Sequence, residues 1–125
     1  MKINSLKKNG GFRLVYSRGR SHANRLLVMY ALKNKSGETR LGLSVSKKVG
    51  GAVVRNKVRR RLKEITRLFA KDGNRLKPGT DIVIIARQAA AGAAYSELCD
   101  AAIKLFQRHG LVNDEEGSAC SDKLL

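Results

Sequence analysis

Residues 40–64 read RLGLSVSKKVGGAVVRNKVRRRLKE, and the hydrophobic period changes partway along this stretch. Over 40–46 it is two: Leu41, Leu43 and Val45 point one way and Gly42, Ser44 and Ser46 the other, as in a strand with one buried face. From residue 53 the period is helical. Val54, Val58, Leu62, Ile65 and Phe69 form one apolar stripe on a helix expected over 53–70. The opposite side carries Asn56, Arg60, Lys63 and Arg67, flanked by Arg55, Lys57 and Arg59. Arg61 falls at the stripe's edge, where its stem can lie on apolar surface while its charge stays in water. Lys47 and Lys48 leave the strand, and Gly50 and Gly51 turn the chain into the helix.

Working outward, Lys77, Pro78 and Gly79 make a turn, and DIVIIA at 81–86 reads as a short buried strand. Strand, helix and strand then form a βαβ unit. Upstream, RLLVMYAL at 25–32 is a strand, and the polar loop KNKSGE at 33–38 is expected to pair it with 40–46. Asn9 is a candidate N-cap for a first helix ending near Arg18, with Phe12, Val15 and Tyr16 at helical spacing and Gly19 as its stop. A last helix is expected over 95–108, with Leu98, Ala102, Leu105 and Phe106 inward and Gly110 as its stop. The order helix, two or three strands, helix, strand, helix predicts an α+β (α/β) two-layer sandwich. One domain over 1–110 is expected, followed by a disordered acidic tail over 111–125.

The chain has 125 residues, with 26 Lys and Arg against 10 Asp and Glu, a net charge of +16. Residues 1–71 hold 20 of the basic and 2 of the acidic residues, hence +18, and the remainder carries −2. A field concentrated in this way favours a polyanion, and nucleic acid before any other. At 42% hydrophobic the chain can close a core. No run approaches the roughly 20 apolar residues that cross a bilayer, and the first ten residues lack a signal-peptide core, so a cytoplasmic protein without a membrane partner is expected.

Several chemistries lack their residues. Cys99 and Cys120 have no neighbouring His or Cys to complete a zinc set and read as a half-buried thiol and a tail thiol. His22 and His109 read as neutral surface residues. The glycine pair at 50–51 lacks phosphate-loop spacing, and no helix precedes the basic one at helix-turn-helix distance. The only acids of the basic half, Glu38 and Glu64, cannot supply the several carboxylates of a protein-borne metal nuclease. The residues therefore point to binding. Eight basic residues lie between Lys47 and Lys63 with Glu64 as their only nearby acid. Solvated helix faces normally mix signs, so this density argues for a phosphate backbone as partner. Phe12, Tyr16 and Tyr30 either complete a small core or form a floor on which single-stranded bases stack; spacing leaves both open.

The stretch from Arg40 resembles the signature R-x-G-x-S-V-S-K-K-x-G-x-A-V-x-R-N-[RK]-x-[KR]-R of the bacterial ribonuclease P protein component. Leu6-Lys7-Lys8, Ala23-Asn24-Arg25 and DIVIIAR at 81–87 agree with it, so the likeness spans about 6–106. The resemblance implies a protein subunit that pairs with a large catalytic RNA, the ribonucleoprotein removing the 5′ leader of precursor tRNA with Mg²⁺ bound mainly by the RNA. No catalytic or metal-binding residue in the protein is implied, nor any protein partner. It implies that the basic helix, at Arg55, Asn56, Lys57, Arg59, Arg60 and Lys63, lies close to the catalytic RNA, and the charge reading adds Lys47, Lys48 and Arg67 to the expected RNA contacts. It also implies a leader cleft between the first helix and the sheet, at Phe12, Tyr16, Val28, Tyr30 and Ser46, and a left-handed βαβ crossover. The alternative, from the charge alone, is a non-catalytic ribosomal or assembly protein that binds structured RNA.

Overall fold

The computed structural model describes residues 3–6, 10–71 and 77–112. Its elements run β1 (Ile3–Ser5), α1 (Gly10–Arg18), β2 (Arg20–Ala23), β3 (Leu27–Lys33), β4 (Thr39–Ser44), α2 (Ala52–Lys71), β5 (Thr80–Ala86), a 3-10 turn (Gln88–Gly92) and α3 (Tyr95–Arg108). This is the expected α+β domain. The helices and the last strand fall where periodicity placed them, while β1, β2 and the 3-10 turn add to the expected order. The candidate cap Asn9 lies outside the described residues.

The five strands form one mixed sheet in the order β1-β4-β5-β3-β2. The expected pairing of β3 with β4 across the 33–38 loop does not occur. β5 lies between them, antiparallel to β3 and parallel to β4. The reason is in its composition: TDIVIIA is apolar at consecutive positions, and all its residues except half-buried Ile85 are buried. Such a strand needs partners at both edges and cover on both faces. α2 connects β4 to β5 as the crossover.

Alternation along the strands divides the core into two faces. Leu27, Met29, Leu41, Ile82 and Ile84 pack with Val58, Leu62, Ile65 and Phe69 of α2 and with the inward residues of α3. Val83, Tyr30, Leu32 and Ile85 point the other way, where Val15 and Phe12 of α1 meet them. α1 therefore adds a partial layer across the sheet from α2 and α3.

Local devices set the element ends. β3 begins two residues later than its apolar run because the Asn24 side-chain carbonyl accepts hydrogen bonds from the Leu26 and Leu27 amides at 3.1 and 3.0 Å, holding a turn there. Asn24 Nδ2 donates to the Ala101 carbonyl, tying that turn to α3. α3 ends at Gly110, whose φ of 70° suits glycine, with the Leu111 amide donating to the Phe106 carbonyl. Leu111 and Val112 are buried in the core, so the packed domain passes the expected boundary at 110; residues 113–125 lie outside the described residues. Cys99 is fully buried on α3 and disulfide-bonded, rather than a half-buried thiol.

Candidate nucleic-acid interface

α2 presents its charge as its period requires. Asn56, Lys57, Arg60, Lys63 and Arg67 are exposed, Arg55 and Arg59 half-buried. Arg59 Nη1 donates to Asn56 Oδ1 at 3.1 Å, one helical turn away. Arg61 takes the edge position: it is half-buried, and its Nη1 reaches the Ala93 carbonyl at 3.4 Å. Among the described residues, none of the cations Arg59, Arg60, Lys63 and Arg67 is paired with a carboxylate.

These four cations form one wall of an open groove of about 450 Å³. β1 supplies the facing edge, Leu41 and Leu43 line the bottom, and Phe12 of α1 closes one side. The groove passes the edge of the sheet and so joins the face under α2 to the face under α1. Phe12 reaches it because residue 42 is glycine: a Cβ there would stand 2.4 Å from Phe12 Cζ. Gly42 was legible only as a member of a strand's polar face, whereas its function is to let an aromatic ring lie on the sheet.

From Phe12 the aromatic surface continues across the sheet. Its ring centroid is 6.1 Å from that of Tyr16, and Tyr16 is 4.9 Å from Tyr30, both pairs edge to face. Tyr16 is 40% exposed, which a core ring is not. Burial raises its phenol pKa above the ordinary value, and neighbouring Tyr30 adds to the shift, so it remains a neutral hydroxyl. Val28 is half-buried on the same face as Tyr30, two residues before it. Val83 and Ile85, not singled out from sequence, complete this face. Their signal lay in the alternation of β5, visible only once both faces of that strand are known to be covered.

The remaining candidates lie apart. Ser46 sits beyond β4, exposed, in a second depression with Lys48, Arg25 and Arg87 at the C-terminal ends of β4 and β5. It does not join Phe12, Tyr16 and Tyr30. Lys47 is exposed in the same turn, Asn56 and Lys57 face outward from the first turns of α2, and Arg55 is half-buried with its Nε shielded from solvent. Arg25 and Arg87 are additions to the basic set. Arg87 Nη1 donates to the Asn24 carbonyl, and Arg25 makes an exposed 3.6 Å ion pair with Glu97.

No group of three or more His, Cys, Asp or Glu suited to a metal occurs among the described residues. Glu38 Oε2 already accepts from Asn4 Nδ2 at 2.8 Å. Among the described residues, the donors do not make a ligand set for a protein-held Mg²⁺. No helix is long and apolar enough to cross a membrane among the described residues.

A family model described as Ribonuclease P matches residues 1–110. The chain is 46% identical over 113 residues to the ribonuclease P protein component of Clostridium botulinum strain Langeland, covering 90% of this chain and all of that one. It is 52% identical over 99 residues to that of Clostridioides difficile strain 630, covering 79% and 84%. The solved RNase P protein of Staphylococcus aureus superposes with a TM-score of 0.78 at 35% identity, covering 90% of this chain and 100% of that one. The RNase P protein from Thermotoga maritima gives 0.73 at 28%, covering 84% and 96%.

Proposed function

Because the chain belongs to the ribonuclease P protein family, and is thus the protein subunit of the tRNA 5′-maturation endoribonuclease and a partner of its RNA, we propose that its aromatic face holds the single-stranded 5′ leader of precursor tRNA. The basic wall of α2 lies against phosphates of the catalytic RNA and of the substrate. The assembly-protein alternative gives way to this membership. The observation that carries the reading is the placement of Phe12, which lines the basic groove and also begins the Phe12, Tyr16 and Tyr30 series, in which Tyr16 is exposed and the other two rings are half-buried.

Each part has a physical task. A ring exposed on one face can stack on any base, at about 1 to 3 kcal/mol per base, so the face grips a single strand whatever its sequence. Arg59, Arg60, Lys63 and Arg67 have no carboxylate partner among the described residues and are available to bind phosphates, with release of the RNA's counterions. The hydrolysis is assigned to Mg²⁺ held mainly by the RNA, and among the described residues no group of three or more His, Cys, Asp or Glu competes for it. The protein's contribution is position and charge, exerted in the cytoplasm. The test is cleavage of precursor tRNA by the cognate RNA at low Mg²⁺, with and without this chain. Faster leader release with the protein is expected; no acceleration with correctly folded RNA overturns the reading.

A further inference from the structure

A second cluster of cations lies at the other edge of the sheet, remote from α2 in sequence. Arg18 ends α1, Arg20 begins β2 and Lys33 ends β3; these three cations and the imidazole of His109, which follows α3, line one pocket of about 410 Å³. β2 stops pairing at Arg20 opposite Ala31, so the last two residues of β3 have no strand on that side. The pocket occupies this gap. Among the described residues, Arg18, Arg20 and Lys33 have no carboxylate partner.

Two ordinary explanations cover part of this. A cation in the last turn of a helix complements the helix dipole, which accounts for Arg18. A charge on an edge strand deters pairing with other chains, which accounts for Arg20. Neither brings Lys33 and His109 to the same place. Two carbonyls at these helix ends are occupied, Val15 O by the Gly19 amide and Phe106 O by the Leu111 amide, both at 2.8 Å. With no carboxylate partner for Arg18, Arg20 and Lys33 among the described residues, the pocket is positive. It also adjoins the aromatic face through β3: Leu32, which lines the pocket, follows Tyr30 by two residues on the same face of the strand and packs against the same Leu6, Val15 and Val83 cluster.

We propose that the pocket of Arg18, Arg20, Lys33 and His109 is a second phosphate site, taking a backbone phosphate of an RNA strand where it leaves the Tyr16 and Tyr30 face. This rests on the single-strand reading of that face. His109 supplies a reporter: its ring is 4.6 Å from that of His22, and its Nε2–H donates to the Met29 carbonyl at 3.0 Å, which leaves Nδ1 as the nitrogen without that proton.

The test follows the ring signals of His22, His109, Tyr16 and Tyr30 by NMR on the full chain. Inorganic phosphate and, separately, a uridine hexanucleotide are titrated in. Both ligands are expected to shift the two histidines. In the Arg20→Gln/Lys33→Gln double variant, whose changes are at exposed positions, those shifts disappear. The salt dependence of hexanucleotide affinity also falls there, by about 0.7 in log–log slope per lost contact. Histidine shifts with inorganic phosphate and none with the hexanucleotide overturn the RNA assignment in favour of free phosphate. Hexanucleotide shifts at Tyr16 and Tyr30 with still histidines overturn the site and leave the single-strand reading standing. No movement at any of the four rings with the hexanucleotide overturns both.

Discussion

Arg40 and Asp81 face each other across the parallel β4–β5 pair and are joined at two points, Nε donating to Oδ1 at 2.7 Å and Nη2 to Oδ2 at 2.8 Å. Asn34 Nδ2 donates to the same Oδ1 at 2.8 Å and to the Glu38 carbonyl. The first residue of the basic signature is therefore a clasp holding the central strand to its neighbour. The two partners are unequal, since the Asp81 side chain is 3% exposed and that of Arg40 39%. Arg40→Met strands a buried carboxylate with only Asn34 beside it, and a loss of about 3 kcal/mol is expected. Asp81→Asn leaves a guanidinium that water can reach, with a loss of about 1 to 2 kcal/mol. Urea unfolding of the two variants checks the order; equal losses would mean the carboxylate is better solvated than its burial says.

Gly42→Ala places a methyl inside the Phe12 ring, and Phe12 must leave the sheet or the strand must shift. Overpacking of this kind costs about 1 to 3 kcal/mol. The expected result is a lower unfolding midpoint together with weaker binding of precursor tRNA. Restored leader binding in Gly42→Ala/Phe12→Leu without restored stacking would show that the ring serves packing only.

These two residues mark how far the sequence can be read. α3 is found at 95–108 as expected, because its apolar stripe and glycine stop are local signals, and α2 likewise. β1 and β2 have three and four residues, lie at sheet edges and carry little apolar pattern, so nothing local announces them. The insertion of β5 between β3 and β4 is a choice among distant partners, made by the apolar demand of β5 and the Arg40–Asp81 clasp. Which cations face a groove was equally hidden. Helical period put Arg60 and Lys63 on an exposed side, but only the position of β1 makes that side the wall of a groove containing Phe12. Ser46 shows the converse: the β4 alternation extended to it, yet the strand ends at Ser44 and the chain turns away.

Tyr16→Ala removes an exposed ring whose contacts are edge to face with Phe12 and Tyr30. Stability should change little. Affinity for precursor tRNA should fall by about 1 to 3 kcal/mol and that for mature tRNA much less, because only the former has a leader to stack. Binding of both substrates to the reconstituted ribonucleoprotein checks this; equal losses would place Tyr16 outside the leader path.

Arg60 and Arg61 are adjacent and separable. Arg60 is exposed on the groove wall, whereas Arg61 is half-buried with its guanidinium at the Ala93 carbonyl. Arg60→Ala should flatten the salt dependence of RNA affinity by about 0.7 to 0.9 in log–log slope and leave unfolding unchanged. Arg61→Ala should lower stability through lost packing of its stem and keep the slope. Salt titrations with the RNA, run beside urea melts, test the contrast, and an unaltered slope in Arg60→Ala would remove that residue from the interface.

His109 gives the fold a pH dependence whose sign is fixed by its surroundings. Burial lowers its pKa below 6.5; the Met29 carbonyl opposes this, while His22 and Arg20 reinforce it. The unfolded chain then binds a proton more readily than the folded one, so this contribution to stability is complete above pH 6.5 and is lost as pH falls towards the folded value. In His109→Gln the amide can still donate to Met29 but does not titrate. Urea midpoints measured from pH 7.5 downward should therefore decline more steeply for the native chain than for the variant. Parallel curves would show that the ring is solvated in the folded state, contrary to its contact with His22.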